Sequence, residues 1–206
     1  MKLYTYDPAP SPQRVALFMK YKGIEIETQQ VDLMNAEQLG DEYTAMVPGQ
    51  TVPALILDDG TVLSQVIGIC TYLEATHPEK PLLGVTPLEK ALVSSWNQRI
   101  YTDLFSAIAE SLRNSSPGMV GRALPGPLGL EQIPALVERG KRRLNWAWGE
   151  LDKELADREW IAGDNFSFAD IDLAVCAGFS GWIKCKPEED LTNLHAYLAR
   201  VQAELA

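Results

Sequence analysis

Hydrophobic and polar positions alternate from Lys2 to Tyr6, with Leu3 and Thr5 set against Tyr4 and Tyr6, the two-residue period of a strand. After the break at Asp7-Pro8-Ala9-Pro10, Val15, Phe18, Met19 and Lys22 recur at helical spacing. Pro12 suits the first turn of that helix and Gly23 its C-terminal cap. Ile24 and Ile26 then alternate with Glu25 and Glu27, which predicts a second strand and a β-α-β start with a parallel pair. Further on, the β-rich run Thr51 to Leu57, the Asp58-Asp59-Gly60 turn and Thr61-Val62-Leu63 predict a hairpin. Ser64 is placed to cap the next helix, whose Val66, Ile69, Cys70 and Leu73 fall on one face before His77-Pro78 stops it.

Beyond Glu79 no strand pattern remains. The reading is therefore a first domain over residues 1–79, a linker over 80–86 and an all-helical domain over 87–206. Thr86-Pro87-Leu88-Glu89 has the capping-box arrangement and opens a long helix with the stripe Leu88, Leu92, Trp96, Ile100 and Leu104. Ser116-Pro117-Gly118 ends it, and the following loop, with Pro125 and Pro127, is expected to be mobile. Leu136, Val137, Leu144, Trp148, Leu151 and Leu155 mark a helix from Glu131, and Leu191, Leu194, Leu198 and Val201 a last one. Between these two, Ser167 and Asp170 are spaced to exchange hydrogen bonds across a helix start, with Phe166 and Ile171 as its hydrophobic staple. Their types and spacing are folding information and call for no catalytic role.

Composition narrows the classes. A chain of 206 residues with 46% hydrophobic and 22% charged residues can bury a core in each of two units. A formal charge of -10 argues against nucleic acid as a partner, because that affinity rests on Lys and Arg neutralising phosphates. No apolar run approaches the roughly 20 residues of a membrane span, and the opening residues lack the apolar centre of a secretory signal. A soluble, cytoplasmic protein is expected, with no membrane partner. Cys70, Cys176 and Cys185 are odd in number and widely spaced, and two histidines cannot complete a metal site around them. They read as reduced thiols, with no metal.

The segment Val47-Pro48-Gly49-Gln50-Thr51-Val52-Pro53-Ala54-Leu55, the hairpin and the helix through Tyr72-Leu73 are followed about a hundred residues later by Ala162-Gly163-Asp164-Asn165-Phe166-Ser167-Phe168-Ala169-Asp170-Ile171. In that order they resemble the glutathione transferase family over nearly the whole chain. The resemblance implies an α/β thioredoxin-like N-terminal domain plus an all-α C-terminal domain. It also implies glutathione as co-substrate, a small hydrophobic electrophile as acceptor, detoxification chemistry and a homodimer. Pro8 to Val15, Thr86 to Lys90, Asn97-Gln98-Arg99 and Ser116-Pro117-Gly118 look like a bacterial and fungal branch that lacks the usual N-terminal tyrosine, serine or cysteine. In some members of that branch a serine and a histidine on the long helix polarise the thiol through water. The matching positions here are Ala109 and Arg113. Where the family has an acid followed by serine for the γ-glutamyl end, this chain has Gln65-Val66 after Ser64.

The resemblance makes Pro53 a cis-proline whose preceding residue, Val52, pairs with the glutathione cysteine like an added strand. Ser64 and Gln65 then hold the γ-glutamyl carboxylate at a helix start, with Ser64 alternatively a cap and Val66 in the core. Ser11, before Pro12, is either the donor to the thiolate or simply an N-cap. Arg113 stands either over the thiol or as a solvated helix-end cation. Tyr101 and Phe105, one turn apart, either wall the acceptor site or pack between helices. His77, His195 and Cys70 read as structural. Three functions remain: conjugation of glutathione to an electrophile; isomerisation, dehalogenation or peroxide reduction through the same thiolate; and a non-catalytic binding or interaction protein.

Overall fold

In the computed structural model, which describes residues 1–206, strand β1 (Lys2–Thr5) lies inside a four-stranded sheet. The order is β2-β1-β3-β4, with β2 at Glu27–Gln30, β3 at Ala54–Ile56 and β4 at Val62–Leu63. β2 runs parallel to β1, while β3 is antiparallel to both β1 and β4. The register sets Tyr4 opposite Ala54 and Leu55 opposite Leu63. Hence the C-terminal ends of β1 and β4 and the N-terminal end of β3 all emerge at one end of the sheet.

The second strand lies three residues beyond the predicted one. Helix α1 (Pro10–Lys22) ends where Gly23 turns left-handed, at φ 70°, and the Ile24 N–H reaches back to the Met19 carbonyl at 2.9 Å. Ile24 is buried as the apolar residue that closes such a cap, which accounts for its pattern without a strand. β2 itself is polar, wholly exposed and at the sheet edge, so no alternation advertises it. Helix α2 (Asp41–Met46) has no counterpart among the predicted elements. Its Tyr43 is 3% exposed and packs edge-on against Tyr4 in a cluster with Val31, Val47 and Ala54.

Helix α3 (Val66–Thr76) buries the four residues its spacing picks out, Val66, Ile69, Cys70 and Leu73. At the far end of α1, the Lys22 ammonium meets Glu74 at 2.7 Å and donates to the Glu79 and Lys80 carbonyls at 2.7 and 3.0 Å. One side chain thus ties α1 to α3 and to the chain leaving it.

The chain divides into two compact units, Met1–Pro81 with Pro125–Leu128, and Leu82–Leu124 with Gly129–Ala206. The second unit opens on the capping box. Thr86 Oγ1 accepts from the Glu89 N–H at 3.2 Å, and Glu89 Oε2 accepts from the Thr86 N–H at 2.8 Å. The buried stripe of α4 (Pro87–Ile100) starts later than predicted. Leu88 is 68% exposed, and Val93, Trp96 and Ile100 carry the packing. Asn97 Nδ2 donates to Asp172 Oδ2 at 2.6 Å, a buried bond between α4 and α7 (Phe168–Ser180).

The long helix is not uniform. Tyr101–Phe105 is a π-turn, after which α5 (Ser106–Ser115) continues. The Thr102 carbonyl there accepts from Ser106 Oγ and from Arg143 Nη2, each at 2.6 Å, so a group displaced from the regular ladder is satisfied by side chains. Helix α6 (Ala135–Glu154) starts four residues after Glu131 and crosses α5 at Gly140. A Cβ there would stand 2.3 Å from Ser111 Oγ and 2.6 Å from the Ala107 carbonyl, so only glycine permits the approach.

At the start of α7, the buried Asp170 carboxylate accepts from the Ser167 N–H and hydroxyl, both at 2.7 Å, and from the Ile161 N–H at 2.9 Å. It also accepts from the Tyr197 hydroxyl of α8 (Thr192–Glu204). Burial pushes the Asp170 carboxyl pKa up, although the four donors pull it down. Phe166, the staple residue, meets Trp160 edge-on at 5.1 Å. No helix is long and apolar enough to cross a membrane.

Candidate functional site

The three segments that meet at one end of the sheet carry the five residues expected to serve glutathione. Ser11 follows β1. It is the second residue of α1, whose N-cap is Ala9 with no side-chain cap bond, so the reading of Ser11 as a cap is corrected. Pro10 and Pro12 have no N–H, so Ser11 supplies the one backbone donor among those three residues. Neither that N–H nor the hydroxyl is bonded within the protein, and the residue is half-buried.

Val52 and Pro53 precede β3, and the bond between them is cis. Val52 lies outside the ladder, and neither its N–H nor its carbonyl bonds to another backbone group. The preceding turn is held from below. Tyr43 donates its hydroxyl to the Thr51 carbonyl at 2.8 Å, and burial raises the Tyr43 pKa, keeping the phenol protonated as a donor. Gln50 adopts φ 51°, left-handed for a residue with a Cβ, while its amide nitrogen reaches the Val47 carbonyl at 2.9 Å and its side chain Thr44 Oγ1 at 3.0 Å. Tyr43 and Gln50 are the parts of this site that sequence reasoning missed; a buried tyrosine eight residues before Thr51 leaves no periodic signal.

Ser64 and Gln65 follow β4. Gln65, not Ser64, occupies the N-cap position of α3, and its side chain makes no cap bond. The cap reading of Ser64 is corrected accordingly. The N–H groups of Val66, Ile67 and Gly68 have no backbone partner. A helix start with uncapped amides and an adjacent hydroxyl suits a carboxylate, because the orphan donors and the helix dipole act together.

The residues expected for the acceptor lie in the second unit. The Tyr101 and Phe105 rings stack at 5.5 Å and 14° on the π-turn, and Phe105 also meets Phe179 at 5.4 Å. Phe179 meets Trp182 at 5.4 Å, extending the row by two residues that the spacing of the long helix could not reveal. Interior packing and an exposed aromatic surface coexist here. Phe179 is 6% exposed, but Tyr101 is 49% and Trp182 53% exposed.

Arg113 is not a solvated helix-end residue. Its Nη1 donates to the Arg122 carbonyl at 2.8 Å, and burial, then the charge of Arg122, lower its pKa. It is one of several pins at the base of the loop after Ser116. Gln132 Nε2 donates to the Arg113 and Ser116 carbonyls at 2.8 and 2.7 Å, and the Ile133 N–H to Asn114 Oδ1 at 2.7 Å.

Cys70 and Cys176 are buried, and His77 and His195 bond to neighbouring backbone carbonyls. No group of His, Cys, Asp and Glu is placed to hold a metal. A depression of about 500 Å³ beside Met1, Lys2, Asp58 and Val62 lies at the opposite end of the sheet from Ser11, Val52 and Ser64.

Residues 9–76 match the family model described as glutathione S-transferase, N-terminal domain, and residues 105–204 match glutathione S-transferase, C-terminal domain. Glutathione S-transferase 2 of Saccharomyces cerevisiae is 29% identical over 206 residues, covering 98% of this chain and 86% of that protein. Among solved structures, a glutathione S-transferase domain-containing protein of Marinobacter aquaeolei VT8 has a TM-score of 0.90 at 30% identity across the whole of both chains. Gtt2 from Saccharomyces cerevisiae has a TM-score of 0.89 at 28% identity, again across both chains. The chain belongs to the glutathione S-transferase family.

Proposed function

We propose that the protein is a glutathione transferase, in which residues 1–79 hold glutathione, 80–86 link, and 87–206 hold a small apolar electrophile. The observation that carries this reading is the meeting, at one end of the sheet, of three unsatisfied surfaces. Val52 offers a strand-like backbone donor and acceptor to the glutathione cysteine. Ser64, Gln65 and the uncapped start of α3 offer donors to the γ-glutamyl carboxylate. Ser11 offers an N–H and a hydroxyl to the sulfur.

A free thiol has a pKa near 8.5, and lowering it by about two units requires roughly 2.7 kcal/mol of preferential thiolate stabilisation. Two donors at a helix start are of that order. The thiolate then attacks the electrophilic carbon: a C–S bond forms, and the leaving group departs with the bonding pair. The chemistry requires no metal. The exposed Tyr101 ring and Phe105 beneath it form an apolar surface for the acceptor. A homodimer in the cytoplasm is part of the same reading.

The test is calorimetric titration with glutathione together with an absorbance assay of conjugation to 1-chloro-2,4-dinitrobenzene. Saturable binding with turnover is expected; no binding at millimolar glutathione overturns the reading. A second reading, binding without turnover, draws on the lack of a donor at Ala109 and the commitment of Arg113 to Arg122. Tight binding with no turnover on aryl halides, epoxides or peroxides would favour it.

A further inference from the structure

The first unit contains four residues that come from far along the sequence. Pro125–Leu128 separate from their chain neighbours and cluster with Met1–Pro81. The contact falls on the turn before Val52, since a Cβ built on Gly126 would lie 3.4 Å from the Gly49 carbonyl oxygen. Gly126 is at φ 96°, a conformation that a side chain would strain, and prolines on both sides fix their own φ angles. At the two ends of this tip the chain is closed by a bond from the Ala123 N–H to the Leu130 carbonyl at 3.0 Å. Just before it, Arg113 holds Arg122. A segment expected to be mobile is therefore pinned at its base and stiff at its tip.

What the tip touches is itself a strained turn. Left-handed backbone at a residue like Gln50 costs on the order of 1–2 kcal/mol and persists only where its surroundings hold it. Tyr43, Thr44 and Val47 hold it from one side. Two residues later stands the unpaired Val52 backbone.

We propose that Pro125–Leu128 is a positioning element of the glutathione site, seated by Gly126 on the Gly49–Gln50 turn so that the Val52 backbone is held in place for the cysteine of the ligand. The proposal rests on the transferase reading above for the identity of that ligand. Gly126 is a positioning residue, acting through Gly49.

Gly126→Val tests it, with Pro125→Gly/Pro127→Gly as a second variant that loosens the tip and adds no bulk. In both, the glutathione dissociation constant should rise about ten-fold or more, while kcat at saturating glutathione stays within about three-fold and the acceptor KM is unchanged. Amide exchange at Gln50, measured without ligand, should accelerate. Folded variants with unaltered glutathione affinity and unaltered Gln50 exchange overturn the proposal. A loss of kcat with unchanged glutathione affinity overturns it too, since that places the tip at the chemical step. If the unaltered protein takes up no glutathione, the transferase reading fails, and Gln50 exchange alone then decides whether the tip holds the turn.

Discussion

Arg99 grips Glu154 through two bonds, Nη1 to Oε2 at 2.9 Å and Nη2 to Oε1 at 2.6 Å, while its guanidinium lies 4.8 Å from the centre of the Trp96 ring. Trp96 also faces Arg158 at 5.6 Å. The hydrogen bonds to Arg99 hold the Glu154 carboxyl pKa below its usual range, against a smaller opposing effect of burial. A depressed carboxylate contributes stability that is present above its unfolded pKa and is lost as pH falls through the folded one. Arg99→Gln should therefore flatten the acid limb: the variant loses less stability than the unaltered protein between neutral pH and pH 3. At neutral pH it should be less stable by roughly 0.5–1 kcal/mol, the pair being about one-third exposed. Urea titrations across that range decide the matter, and parallel pH profiles would refute the assignment.

Asp170 should matter for folding alone. Asp170→Ala strips the Ser167 and Ile161 amides and the Tyr197 hydroxyl of their acceptor, a loss of about 3 kcal/mol for buried donors. The melting temperature should fall. A fully stable variant that had lost only turnover would count against this role.

Gly140→Ala places a methyl group where α6 crosses α5. Because one of its neighbours is the Ala107 backbone carbonyl, which cannot rotate away, the helices must part, at a cost of roughly 2–3 kcal/mol. Chemical denaturation measures it. A change below about 0.5 kcal/mol would mean that the crossing relaxes freely.

Ser11→Ala separates chemistry from capping. Since Ser11 makes no cap bond, stability should change by less than about 0.5 kcal/mol. The pKa of bound glutathione, followed by ultraviolet titration of the thiolate, should rise. Turnover at neutral pH should fall about ten-fold, equivalent to roughly 1.4 kcal/mol. An unchanged thiolate pKa would leave activation to the Ser11 N–H.

Elements with a strong internal period were legible from the residues: β1, the buried face of α3 and the two capping boxes at Thr86 and Ser167. The β-rich run Thr51 to Leu57 narrows to the three residues Ala54–Ile56 in the ladder, and the cis bond before Pro53 is legible only through the family resemblance. What escaped had no period to betray it. β2 is four exposed polar residues whose place is dictated by the edge of the sheet. Leu88 and Leu92 continue the helical spacing of Trp96 yet face solvent, because the packing partner of α4 lies on the side of Val93 and Asn97. The π-turn is equally silent, since its Thr102 carbonyl finds a partner in Arg143, 41 residues away. For Ser11 and Ser64 both cap and ligand donor stay open in the sequence, because a hydroxyl near a helix start suits either, and only the hydrogen bonds remove the cap.

The π-turn at Tyr101–Phe105 also fixes a rotational phase. One extra residue in a helical turn rotates everything downstream by about 100° relative to an uninterrupted helix. Ala107, Ser111 and Asn114, which face α6 and the loop base, owe their direction to that offset. So does Arg113, whose hold on Arg122 precedes the Pro125–Leu128 tip. Deleting a single residue between Tyr101 and Phe105 would remove the bulge and leave the contact face directed at Gly140, whereas winding all five residues into a regular helix would turn that face about 100° away.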